Sequence, residues 1–310
     1  MIDRFGEPMK VTLDPGLDMA VTGVARLTEM ATAAAQEAIR PILEARTKPS
    51  ICIAFSTGEE RPGQGPEVAA QVATGLQRTL GDVITITKVV HWMGGHSGGI
   101  AAMQAALNLL DRDGIDIVLA GGVESYLNAE TLEWLDDIEQ LHSNNNLYGF
   151  CPGEAAGFVA LTRANMAKRL GIRPLLGLLS AGSGQEKNLI KTEDIVLGEG
   201  LSDAFKNAAV DLPEGAQIDR IICDMNGERY RGNEYGFAAL KTSGLFRDAA
   251  DFEAPADCWG DLGAASGPLY TAIVIEAEAR GYAKGPLSMI WASSEAGRRD
   301  AAILSRVGAM

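Results

Sequence analysis

The sequence twice sets a turn of small residues in front of a helix that lacks a polar face. The first turn, Gly94-Gly95-His96-Ser97-Gly98-Gly99, opens Ile100 to Leu110, which is apolar nearly all round. The second, Trp259-Gly260-Asp261-Leu262-Gly263-Ala264-Ala265-Ser266-Gly267, opens the apolar Pro268 to Arg280. A helix with no polar face must be buried. Two similar halves, each hiding one such helix, therefore predict two sheets with those helices sandwiched between them.

The flanking segments fit that scheme. In the first half a helix is predicted over Thr22 to Ala45, a buried strand at Ser50 to Phe55, a helix at Glu67 to Leu80 and a β-branched strand at Val83 to Thr87. Another strand, Ile115 to Ala120, is closed by Gly121-Gly122-Val123-Glu124-Ser125. The polar Asn128 to Asn146 reads as an irregular surface excursion or a dimer-facing insertion, and Gly153 to Thr162 as a strand. The order then begins again. Leu175 to Ser180 is read as a strand, Glu193 to Ala209 as a helix, Ile218 to Met225 as a strand, Asn226 to Asn233 as a loop and Glu234 to Ser243 as a helix. Two strands, Leu287 to Ala292 and Asp300 to Ser305, close the chain. The expectation is one α/β domain over 1–310, built from halves 1–165 and 170–310, with helices on both faces of each sheet.

Charge excludes several functions. With 27 Lys plus Arg against 41 Asp plus Glu, the formal net charge is −14, which opposes phosphate-backbone binding and excludes a nucleic-acid partner. No window approaches the roughly 18 uninterrupted apolar residues of a membrane span, and the opening residues lack the apolar stretch of a secretory signal. A soluble cytoplasmic protein is expected. Cys52, Cys151, Cys223 and Cys258 are far apart, so neither a metal site nor a disulfide framework is signalled.

Four segments then carry a resemblance. His96-Ser97-Gly98-Gly99-Ile100-Ala101-Ala102-Met103 resembles the nucleophile turn Cys-Ala-Ser-Gly-Met-x-Ala-Ile of the thiolase superfamily. Ala120-Gly121-Gly122-Val123-Glu124-Ser125 is similar to its Ala-Gly-Gly-x-Glu-Ser segment. Pro152-Gly153-Glu154-Ala155-Ala156-Gly157 resembles Gly-Glu-Gly-Ala-Gly, and Gly260 to Ser266 the second small-residue turn. The order matches that of β-ketoacyl-acyl-carrier-protein synthases. The resemblance implies a five-layered αβαβα sandwich, usually a homodimer, that transfers or condenses acyl thioesters. No separate cofactor is implied; the phosphopantetheine of coenzyme A or of an acyl carrier protein delivers the substrate.

The polar catalytic positions depart from that pattern. His96 stands where the family has its nucleophilic Cys, and Asp224-Met225-Asn226-Gly227-Glu228 replaces Asn-Ala-His-Gly-Thr, putting Asn226 at the first His position. Gly260-Asp261 replaces Gly-His or Gly-Asn. The chain has three His, His91, His96 and His142, and none in its second half. The N-terminal Met9 to Asp14 is a weak substitute for the family's first strand.

Candidate site residues follow. His96 is placed to polarise a thioester carbonyl, to accept an acyl group, or simply to line a pocket. Ser97 reads either as a nucleophile with His91 as its base or as the cap of the buried helix. Asn226, Glu228 and Asp261 would converge if the halves pack as expected, and an ionised Asp261 would repel an enolate unless burial protonated it. Cys151 reads as a displaced nucleophile or an inert thiol. Arg229 and Arg231 are candidates for a substrate phosphate. Glu154 resembles a structural family position, and Gly98, Gly99 and Gly263 shape the turns. Gly95-His96-Ser97-Gly98-Gly99 also matches the Gly-x-Ser-x-Gly elbow of serine hydrolases, although no late His follows. Lys168, Arg169 and Arg173 are the nearest basic cluster for docking an acidic carrier.

Two functions fit. One is an acyltransferase or decarboxylase that works on acyl thioesters without a cysteine. The other is a non-catalytic relative that dimerises with an active synthase or binds an acyl chain.

Overall fold

Period-2 alternation along the buried strands sets the layers. In the computed structural model, which describes all residues except 1, 3, 5, 45, 46, 113, 191, 193, 309 and 310, strand β1 (Ser50–Thr57) sends Cys52 and Ala54 to one side and Ile51, Ile53 and Phe55 to the other. Strand β8 (Leu287–Ser293) divides likewise, with Ile290 and Ala292 facing inward and Met289 and Trp291 outward. Each strand therefore serves two cores.

The middle core lies between the sheets and contains the two helices without polar faces, α3 (Gly98–Leu110) and α9 (Ser266–Arg280). The outer face of the first sheet is covered by α1 (Gly23–Leu43) and α2 (Val68–Leu80). On the second sheet the outer helices are α6 (Glu199–Ala208) and α7 (Arg229–Lys241). The result is the expected αβαβα sandwich. At about 1.5–3 kcal/mol for each fully buried large apolar side chain, three such cores are the main stabilising term.

Strands β1, β2 (Thr85–Met93), β3 (Ile117–Ser125) and β4 (Glu154–Thr162) form the first sheet in the order β2-β1-β3-β4, with β4 antiparallel. The second sheet runs β5-β9-β8-β6-β7, from β5 (Leu176–Gln185), β6 (Arg220–Cys223), β7 (Phe252–Glu253), β8 and β9 (Arg298–Arg306). Superposing the two orders pairs β7 with β2, β6 with β1, β8 with β3 and β9 with β4. Strand β5 has no counterpart. Met9 to Asp14 forms no strand; Thr12 N donates to Pro152 O at 3.0 Å and Asp14 N to Glu154 Oε1 at 2.9 Å, at the start of β4.

Several boundaries differ from the sequence reading, and three of them bear on the site. Strand β2 continues to Met93, which places His91 on a strand. Asn128 to Asn146 contains a helix, α4 (Ala129–Asp137), because Asn128 Oδ1 accepts from Glu130 N at 2.9 Å and so caps it, while Leu132 and Leu135 are buried. Helix α7 starts at Arg229, five residues before the predicted Glu234, so the last five residues of the stretch read as a loop are helical. The predicted ends Ala45 and Glu193 lie outside the described residues. Short helices α5 (Ala164–Leu170) and α8 (Ala256–Trp259) complete the chain. Among the described residues, no helix is long and apolar enough to cross a membrane.

Candidate functional site

Residues that follow the carboxyl ends of the parallel strands meet where the two halves join, the usual location of ligand sites in α/β sheets. His96 enters on the tight turn Gly95–Ser97 between β2 and α3. Tyr126 follows β3, Asp224 to Glu228 follow β6, Ser294 follows β8, and Asp261 precedes α9. The turns can meet because Gly99 has no side chain: a Cβ there would stand 2.6 Å from Ala264 O. Gly263 contributes a positive φ of 45°, and its N–H donates to Asp261 Oδ1 at 2.8 Å.

The side chains form one buried polar network. His96 Nε2 lies 2.9 Å from Asp261 Oδ2, and Asn226 Nδ2 donates to the same oxygen at 2.6 Å. Asn226 Nδ2 also reaches Glu228 Oε2 at 3.0 Å. Arg231 donates through Nη1 to Asp224 Oδ2 (2.6 Å) and to Ser293 O (2.9 Å), and through Nε to Glu228 Oε2 (3.2 Å). Its Nη2 lies 3.2 Å from His96 Nε2. Tyr126 Oη donates to Asp261 Oδ1 at 3.4 Å, and Gln140 Nε2 to Glu228 Oε1 at 3.1 Å.

Electrostatics fix the protonation states. Burial alone would lower the His96 pKa, but the Asp261 carboxylate outweighs it and raises the imidazole to about 9. Burial would raise Asp261, but His96, then Arg231 and Asn226, hold it below the ordinary carboxylate range. At neutral pH the pair is therefore imidazolium and carboxylate. In the protonated form His96 has no lone pair at Nε2 to attack a thioester or take a proton. Asp261, read from sequence as protonated if buried, stays ionised because it is paired. Burial raises Glu228, with Arg231 opposing.

The remaining predicted residues are dispersed. His91 is exposed, and its ring packs beside Phe55 (centroids 6.2 Å apart) on the outer face of the first sheet, so it cannot serve Ser97 as a base. Ser97 is buried, but its oxygen makes no capping bond to α3; it lies 3.0 Å from Ser294 Oγ, which accepts from Ser97 N at 2.8 Å. Both the nucleophile and the cap readings of Ser97 fail on these contacts, and the serine-hydrolase elbow fails with them. Cys151 contributes its backbone, its carbonyl accepting from Asp261 N at 2.7 Å, while burial raises its thiol pKa.

Arg231 is 1% exposed and wholly engaged within the network, so it is not a phosphate ligand. Arg229 is exposed, with its guanidinium 3.4 Å over the Tyr148 ring. Glu154 accepts from Arg26 Nε (2.7 Å), Asp14 N (2.9 Å) and Ser125 Oγ (2.8 Å), tying the N-terminal segment to β4. Gly98 packs against Ser56. Arg169 pairs with Asp116 just before β3, at the opposite end of the first sheet from the site, and Lys168 lies on the same short helix, α5.

Beside the network lies a cleft of about 540 Å³ lined by His96, by apolar residues that include Met93, Trp134, Phe150 and Ile190, and by Glu59, Glu124 and Glu295. Arg61 lines it, donating to Glu124 Oε1 at 2.6 Å with its guanidinium 4.5 Å over the Tyr126 ring. Tyr126, Arg61, Asp224 and Ser294 were not singled out from sequence. Tyr126 was the accessible one, since it directly follows the Ala-Gly-Gly-Val-Glu-Ser segment. Among the described residues, no group of three or more His, Cys, Asp and Glu is placed to hold a metal ion.

The architecture is that of the thiolase-like fold, as in the ketosynthase structures it resembles. Residues 90–167 match the model of the β-ketoacyl synthase N-terminal domain. The structure is similar to that of a ketosynthase, bound to the hexaketide and in complex with its type II polyketide acyl-carrier protein, with TM-score 0.76 and 14% identity over 98% of this chain and 90% of that one. It is also similar to the ishigamide ketosynthase/chain length factor, with TM-score 0.66 and 18% identity over 96% of this chain and 87% of that one. A ketosynthase from module 6 of the bacillaene synthase of Bacillus subtilis 168 gives TM-score 0.70 at 14% identity, and the alignment covers 96% of this chain but 59% of that chain. No curated protein sequence matches the chain.

Proposed function

We propose that the protein is a non-condensing ketosynthase-fold subunit that acts by pairing with an active synthase. The observation that carries this reading is the buried ion-paired network of His96, Asp261, Arg231, Asp224 and Glu228, which includes the residues that the resemblance aligns with the nucleophile and its two polar partners. Acyl transfer by Ser97 would need a base, and its hydroxyl is set against Ser294 instead. Decarboxylation would place a developing enolate against the Asp261 carboxylate, which opposes that charge.

A synthase subunit suits the chain better than a carrier protein as its partner. A carrier docks through acidic groups, and this chain carries −14, with its α5 basic residues at the far end of the first sheet. The similarity to a structure named as a ketosynthase/chain length factor agrees with a subunit role.

Incubation with radiolabelled acyl-coenzyme A and acyl-carrier-protein thioesters of several chain lengths tests the proposal. The expected outcome is no turnover and no covalent mass increase, together with a stable complex when an active synthase subunit is added. Turnover, or a label that disappears in Ser97→Ala, would overturn it.

A further inference from the structure

In the cleft beside the network, carboxylates outnumber cations. Glu59, Glu60, Glu124 and Glu295 line it, against Arg61 and His96. Both cations are already matched: Arg61 donates to Glu124 Oε1 at 2.6 Å, and His96 Nε2 lies 2.9 Å from Asp261 Oδ2. Arg231, 3.2 Å from His96, is met by Asp224 and Glu228. Glu59 and Glu60 have no such counterpart. Among the described residues neither forms an ion pair, and Glu59 Oε1 accepts from a neutral donor, Ala296 N, at 3.0 Å.

The local backbone makes room for Glu59. Gly95, with a positive φ of 61°, opens the turn that carries His96, and a Cβ there would stand 2.8 Å from Glu59 Cγ. The carboxylate is thus packed against the turn that carries His96. Burial raises its pKa, a penalty on the anion that a cation beside it would offset. Aromatic rings complete the lining. Tyr126 and Phe150 stand with centroids 5.2 Å apart, and Trp134 joins them on the cleft wall. Arg61 lies 4.5 Å over the Tyr126 ring, so this wall already carries one cation on an aromatic face. A space of about 540 Å³ is far larger than a metal ion fills.

We infer that the cleft binds an organic cation, an ammonium group carried on an aromatic or apolar body, with Glu59 as its counter-ion and the ring-lined wall against its body. A carboxylate ligand would meet Glu59 and Glu60 with like charge, and a neutral one would leave them uncompensated. The inference stands apart from the subunit reading, because a cation fits whether or not the chain pairs with a synthase.

Isothermal titration calorimetry on the full chain at pH 7 tests it, with 2-phenylethylamine and tryptamine as probes and 2-phenylethanol and 3-phenylpropanoate as neutral and anionic counterparts. The expected result is saturable binding of an amine at one site, tighter than that of either counterpart. Glu59→Gln keeps the side chain's shape and its acceptor for Ala296 N, and is expected to weaken the amine about tenfold or more while keeping the wild-type circular dichroism. Failure of both amines to bind the wild type, or a counterpart that binds it as tightly, would overturn the proposal without recourse to the variant. So would an unchanged amine affinity in a folded Glu59→Gln. Turnover of acyl thioesters would count against the subunit reading and leave these outcomes untouched.

Discussion

His96 gains its meaning from its partner. Asp261 turns an imidazole in a tight turn into a buried cation, and Arg231, Asn226 and Tyr126 close around the same carboxylate. Removing one member of a buried ion pair strands the other, at a cost of about 3–5 kcal/mol. Asp261→Asn is expected to destabilise the fold by that order in urea denaturation at pH 7. The pH dependence has a definite sign. Because the folded His96 pKa of about 9 lies above its unfolded value, its contribution is complete below about pH 6.5 and is lost as pH rises through about 9. Asp261 is depressed, so its contribution is present above about pH 4 and is lost on acidification. Asp261→Asn is therefore expected to flatten the decline in stability between about pH 6.5 and 9. Ser97→Ala, which leaves Ser294 Oγ its bond to Gly94 O, is expected to cost no more than about 1 kcal/mol by the same assay.

Among the elements, the central helices α3 and α9 depend on a glycine for their approach, as does the outer helix α6, where a Cβ at Gly200 would stand 2.4 Å from Glu186 N. A Cβ at Gly99 of α3 would stand 2.6 Å from Ala264 O and equally close to Pro268 Cδ, both held on the turn into α9. Gly99→Ala is expected to lower stability by about 1–3 kcal/mol, read as a fall in Tm. Gly232 of α7 is the control, because a Cβ there would meet nothing within 4 Å. Gly232→Ala is expected to raise stability by about 0.5–1 kcal/mol through helix propensity and unfolded-state entropy. The first sheet supplies the other lesson at this scale. Without a strand beyond β4, α1 packs over β4 and β3, whereas α6 packs chiefly over β5.

Across the whole molecule, the layers were legible because two helices lacked a polar face and could sit only between sheets. The resemblance to condensing enzymes was legible for the same reason: its motifs are the small-residue turns that let those helices meet. The departures from the family's motifs at His96, Asn226 and Asp261 were also legible. What those residues do instead was not, since an ion pair spanning 165 positions leaves no local signal. Helix α4 was hidden by its polar surface, and the start of α7 by Gly232, which weakens helical periodicity. Arg231 looked like a loop cation available to a phosphate, and only the packing of α7 against β8 showed it enclosed, donating to Ser293 O.

The central claim is that the nucleophile position holds a charged, partnered imidazole. An NMR titration of the His96 ring in the intact protein, with Asp261→Asn as reference, measures this directly. The account predicts protonation at neutral pH, with a wild-type pKa of about 9 that falls in the variant. A wild-type ring that titrates near the ordinary value of about 6.5 and takes up an acyl group from a thioester would contradict it.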